Sequence, residues 1–62
     1  MQTIYYLKVY LGKGIWVDFI EDNYKEPMHF SSIDDAENYQ EQQMKLTHKE
    51  LAIFAQVTFK VE

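Results

Sequence analysis

The chain opens on a nearly unbroken apolar and aromatic run, passes through a polar stretch, and closes on apolar residues that recur at every second position. Residues 3–11, TIYYLKVYL, are β-branched and aromatic with no breaker, the pattern of a strand. Alternation sets Tyr5, Leu7, Val9 and Leu11 on one face and Ile4, Tyr6, Lys8 and Tyr10 on the other. Gly12-Lys13-Gly14 suits a hairpin link, and residues 15–21, IWVDFIE, form the returning strand. Ile15, Val17 and Phe19 share one of its faces, and Trp16, Asp18 and Ile20 the other.

Asp22-Asn23 signals a turn and Pro27 an interruption, after which Met28-His29-Phe30 is a candidate short strand beside the second. Ser31 and Ser32 offer N-caps, and Ser32 with Asp35 has capping-box spacing. Acids in the first turns and Lys45, His48 and Lys49 near the end match the helix dipole, so residues 33–45 are expected to be helical. The inner stripe is Ile33, Ala36, Tyr39 or Gln40, Gln43 and Met44. Thr47 and Glu50 have capping-box spacing too, which would start a short helix followed by a shorter strand. Against it, Leu51, Ile53, Ala55, Val57, Phe59 and Val61 alternate without a miss, and a strand over 52–61 is the preferred reading.

These elements give one small α+β domain over residues 1–62. It is a three- to four-stranded antiparallel sheet with one helix on one face, in the order ββ(β)αβ. The first strand is expected at the centre, with the last beside it. If the helix covers Leu7, Val9, Val17 and Phe19, the opposite face carries Ile4, Tyr6, Tyr10, Trp16 and Ile20. Lys8, Asp18, Gln56, Thr58 and Lys60 are interspersed there. One helix cannot cover two apolar faces. The second is either an interface, for which Tyr6, Tyr10, Trp16 and Ile20 are the candidate contact residues, or a set of cross-strand pairs that stiffens the sheet.

Composition narrows the classes. The chain has 62 residues, 16% of them aromatic, and no Cys, which excludes a disulfide framework and a thiolate metal cage and fits a reducing cytoplasm. The apolar runs are far shorter than the ~20 residues that span a bilayer. MQTIYYLKVY lacks the pattern of a signal peptide, so a cytoplasmic protein without a membrane partner is expected. So short a chain stabilises itself by dense aromatic packing or by association, a homodimer included.

Charge is uneven. Residues 18–41 hold eight acids against Lys25, a net of −7, while the remainder is +3, giving −4 in total. Asp34, Glu37 and Glu41 fall three and four residues apart and make an acidic stripe. Such a stripe is either a solvated helix face or a contact for the basic groove of another protein, including a groove that holds nucleic acid. Direct nucleic-acid binding is disfavoured by six Lys, no Arg and an isoelectric point near 5.0.

No catalytic, cofactor-binding or metal residues emerge. Ser31, Ser32, Thr3, Thr47 and Thr58 lie in no nucleophile turn, and His29 with Glu26 reads as a surface pair. His29 and His48 have neither HxH nor HExxH spacing, and Gly12-Lys13-Gly14 is too short to cradle phosphates. The leading expectation is a non-enzymatic protein-binding module. The alternatives are a homo-oligomeric structural protein and a small-ligand binder whose intersubunit pocket is lined by Tyr6, Tyr10 and Trp16.

The compact acidic chain, the YYLKVYLGKGIWVDFI hairpin and the HFSSIDDAENYQEQQ strand–cap–helix passage resemble small phage- or plasmid-encoded accessory proteins, including inhibitors of the anti-CRISPR kind. The resemblance implies stoichiometric inhibition of a host defence protein in the host cytoplasm, with the acidic patch as a nucleic-acid mimic. It carries no diagnostic motif, so no functional residues transfer with it.

Overall fold

The computed structural model describes residues 2–59. Lys60 and Val61, expected in the last strand, lie outside them. The chain runs β1 (Gln2–Gly12), β2 (Ile15–Asp18), α1 (Ile33–Thr47) and β3 (Leu51–Thr58). The sheet is antiparallel with the order β2-β1-β3, so β1 is central and β3 returns beside it, as expected. This is the α+β fold expected from the sequence.

The hairpin turns over Lys13 and Gly14, both at positive φ (56° and 78°), the backbone that matches the twist of two-residue hairpins. Tyr10 pairs with Trp16 and Gly12 with Ile15, which leaves Leu11 as the extra residue of a bulge. Leu11 is exposed rather than in line with Leu7 and Val9.

β2 is shorter than the expected 15–21. Its pairing with β1 ends at Lys8–Asp18, and Phe19 adds one further hydrogen bond, N–H to the Leu7 carbonyl at 3.0 Å. The chain then leaves the sheet through a turn at Asp22-Asn23, where Asn23 has φ 73°. The candidate strand at residues 28–30 is reduced to a single bridge, and it lies beside β1 instead of β2. Phe30 and Tyr5 exchange N–H···O bonds of 2.7 and 2.8 Å. The next pair of that ladder would join Met28 to Leu7, but the Leu7 carbonyl already accepts the Phe19 N–H, so the bridge extends no further back.

The helix is two residues longer than expected. Ser32 is its N-cap by position, but the Ser32 side chain makes no capping hydrogen bond, so the expected capping box does not form. At the other end His48 adopts the left-handed conformation (φ 56°) and its N–H bonds to the Met44 carbonyl. Thr47, the other candidate cap, donates its hydroxyl to the Gln43 carbonyl (2.7 Å) and accepts from the Lys49 N–H (3.3 Å). It thus closes α1 rather than opening a second helix, and the alternating segment from Leu51 is strand.

The core lies between the helix and one face of the sheet. Leu7, Val9, Phe19 and Leu51 are buried, with Tyr39 and Ile53 packed against them. Leu7 is 2% exposed and Ala36 fully buried, which lets the helix backbone come close to the sheet. The inner helix face is Ala36, Tyr39, Gln40 and Gln43. Ile33 and Met44, expected in that stripe, sit on an exposed flank. Two polar ties fix the helix. Gln40 Nε2 donates to the Leu51 carbonyl at 2.7 Å. Glu21 Oε1 accepts from the Tyr39 hydroxyl and from Gln43 Nε2.

Candidate functional site

The sheet face opposite the helix is aromatic. Even-numbered residues of β1 point there, and cross-strand pairing sets Trp16 of β2 beside Tyr10 and Phe54 of β3 beside Tyr6. Ring centroids are 4.9 Å apart for Tyr10–Trp16, 5.9 Å for Trp16–Phe54 and 6.2 Å for Tyr6–Phe54. His29 adds an edge-on contact to Tyr6 at 6.1 Å. The result is an unbroken row of rings across three strands, with offset and edge-to-face geometries each worth about 0.5–1.5 kcal/mol beyond area burial.

Lys8 stands in the middle of this row. Its Nζ is 5.1 Å from the Phe54 centroid and 6.0 Å from that of Tyr6, within the range of cation–π attraction. The Tyr10 hydroxyl accepts the Gly14 N–H at 2.9 Å, tying one end of the row to the hairpin turn. All four principal rings are half-buried, and their mutual contacts stiffen the sheet and hold the rings in place.

Tyr6, Tyr10 and Trp16 are therefore brought together as expected. Ile20 is not among them. It lies past the end of β2 and lines an open hollow with Phe19, Glu21, Gln43 and Leu46, on the helix side. Phe54 is the member missing from the sequence-based set. Its position between Ile53 and Ala55, out of phase with the alternating apolar residues, is the signal that assigns it to this face.

Asp34, Glu37 and Glu41 share the outer side of the helix, opposite Ala36 and Gln43, and all three are exposed. Glu41 pairs with Lys45 at 3.2 Å; between exposed side chains such a pair contributes little stability, but it dilutes the acidic stripe. Since the helix covers the other side of the sheet, the acidic stripe and the aromatic face look in opposite directions. One flat partner surface cannot engage both.

The titratable groups offer no converging set. Burial first, and then the hydrogen bond and charge of Glu21, push the Tyr39 hydroxyl well above its ordinary value. This is a core tie between loop and helix. His29 packs on Tyr6, and His48 caps α1. Among the described residues no three His, Asp or Glu side chains converge on a metal position, and no helix is long and apolar enough to cross a membrane. Comparison with protein-family models, with curated proteins and with solved structures finds no match.

Proposed function

We propose that this chain is a non-enzymatic protein-binding module that masks a surface of another protein with its aromatic sheet face. The observation that carries the reading is the row Tyr6, Phe54, Trp16 and Tyr10 around the ammonium of Lys8. Tyr and Trp offer large, stiff contact area with a polar tip, the chemistry of binding hot spots. Because the rings already brace each other, little side-chain entropy is lost on docking. Lys8 selects the partner's chemistry: an apolar patch with a carboxylate or backbone carbonyls near its centre. A stoichiometric mask of this kind suits the resemblance to phage-encoded inhibitors of host defence proteins. The acidic stripe is the weaker contact, because its members are solvated and Glu41 is partly neutralised.

Affinity capture from a cell lysate tests this with three baits: wild type, Tyr6→Ser/Trp16→Ser, and Asp34→Lys/Glu37→Lys/Glu41→Lys. The expected result is a protein retained by wild type and by the charge-reversed bait, lost with the aromatic variant, and rebinding in purified form at one-to-one stoichiometry. Loss on charge reversal alone would overturn the aromatic reading in favour of the helix. Circular dichroism confirms that each bait is folded.

A further inference from the structure

The two edges of the sheet are not alike. β2 is four residues long, carries Asp18 and leaves a bulged, twisted hairpin, all features that blunt an edge. β3 is twice that length, pairs with β1 in unbroken register, and reads LAIFAQVT, with no charge and no proline. Beyond Leu51, where Gln40 of the helix reaches it, its outer side has no charge, proline or bulge to blunt it.

Hydrogen-bond phase shows which groups are open. Tyr10 N–H bonds to the Glu50 carbonyl, and Phe19 and Phe30 bond to Leu7 and Tyr5 on the other side of β1. Even-numbered residues of β3 therefore bond inward to β1, and odd-numbered ones direct N–H and C=O outward. Gln40 occupies the outward carbonyl of Leu51. The open run is Ile53, Ala55 and Val57.

The helix flank beside this edge carries two uncovered apolar side chains, Ile33 and Met44, with the acidic Glu37 between them. Gln40 reaches the edge, and Ile33, Glu37 and Met44 share its helical row. Ile33 is 47% exposed and Met44 39%, while Val57 and Phe59 on the adjoining strand end are 48% and 74% exposed.

We infer that β3 pairs antiparallel with β3 of a second copy, about a two-fold axis through Ala55, to make a continuous six-stranded sheet. The occupant is set by self-complementarity. With Ala55 opposite its own copy, Ile53 falls opposite Val57 and Leu51 opposite the exposed Phe59. On the other face Phe54 lies beside Gln56. Each open N–H meets an open C=O, giving about six backbone hydrogen bonds. No like charges are opposed along the strand, and the small Ala55 side chains leave the axis unobstructed. A standard interface covers about 800 Å² per partner, roughly a sixth of this chain's 4965 Å². Strand pairing alone falls short of that, so Ile33, Met44, Val57 and Phe59 supply the rest. The inference stands apart from the masking role, because the aromatic rows of both copies remain uncovered.

The test is molar mass by light scattering across a wide concentration range, with amide hydrogen exchange on the same samples. Wild type is expected to rise from the 7.5 kDa chain mass to twice that value and no further. The amides of Ile53, Ala55 and Val57 gain protection as it does, whereas Ala52, Phe54 and Gln56 are protected throughout. Ala55→Lys sets two ammonium groups against each other at the axis and raises the dissociation constant at least tenfold; Tyr6→Ser/Trp16→Ser leaves it unchanged. A monomer at every concentration would overturn the inference. So would open-ended assembly, dimerisation lost with the aromatic variant, or protection of these amides that needs a foreign extended peptide. The exchange experiment uses wild type alone, so it decides the matter even if Ala55→Lys does not fold.

Discussion

Tyr39 on the helix donates its hydroxyl to Glu21, 18 residues earlier in the segment leaving β2. The bond matters because the connection from Phe19 to Ser32 has no regular element of its own. Glu21 at one end and the Phe30–Tyr5 bridge at the other fasten it. Phe19 and Phe30 both pack on the Tyr39 ring, at 6.5 and 5.2 Å between centroids. Tyr39→Phe keeps the ring and removes the hydroxyl. It is expected to cost about 1–2 kcal/mol in urea unfolding, since Glu21 loses a donor to a charged acceptor.

The same contact sets a pH dependence at the alkaline end. Burial and Glu21 raise the Tyr39 pKa in the folded state above its unfolded value near 10. The native state then holds a proton that the unfolded state releases, so the tie's contribution is complete below pH 10 and is lost as pH rises beyond it. Melting temperature should fall more steeply above pH 10 in wild type than in Tyr39→Phe, which lacks the titrating group.

Two left-handed positions give opposite expectations. His48 ends the helix at φ 56° with a side chain where glycine is preferred, so His48→Gly should stabilise by about 0.5–1 kcal/mol. Gly14 turns the hairpin at φ 78°, and a Cβ there would meet no atom within 4 Å. Gly14→Ala should nonetheless cost about 1–2 kcal/mol, from backbone conformation alone. Thermal denaturation of the two variants measures both signs.

Ser32→Ala is expected to change stability by less than about 0.5 kcal/mol, because the Ser32 hydroxyl makes no cap bond. A loss of about 1 kcal/mol, the usual cost of removing a working cap, would show that Ser32 caps the helix in solution.

Leu7→Ala removes a side chain at the centre of the only helix–sheet core among the described residues. Such truncations cost about 2–5 kcal/mol, against a total stability of roughly 3–9 kcal/mol for a chain of this length. The urea midpoint followed by circular dichroism should fall by a large fraction of its wild-type value.

Strong periodicity was legible in the sequence, and contacts between distant residues were not. β-Branched and aromatic content defines β1, unbroken alternation defines β3, and Gly12-Lys13-Gly14 marks the hairpin, because these signals are local. The face holding Tyr6, Tyr10 and Trp16 followed from the same period. Ile20 was misplaced because strand spacing was extended past Asp18, where the chain has already left the sheet. Phe30 bridges Tyr5 across 25 positions, and Tyr39 meets Glu21 across 18. No spacing rule reaches that far. Ser32 matched a capping pattern, but a pattern fixes residue types, not whether a hydroxyl turns inward.

The central position of β1 also sets the order in which the molecule assembles. Its hairpin with β2 closes over two residues and forms on the microsecond scale. Its ladder with β3 joins residues from 42 positions apart (Val9 with Leu51) to 56 (Gln2 with Thr58), so loop-closure entropy must be met before any bond of that ladder rewards it. The return of β3 therefore carries the larger entropic cost of the two pairings, and the hairpin, marginal on its own, gains its stability only when β3 and the helix close the core.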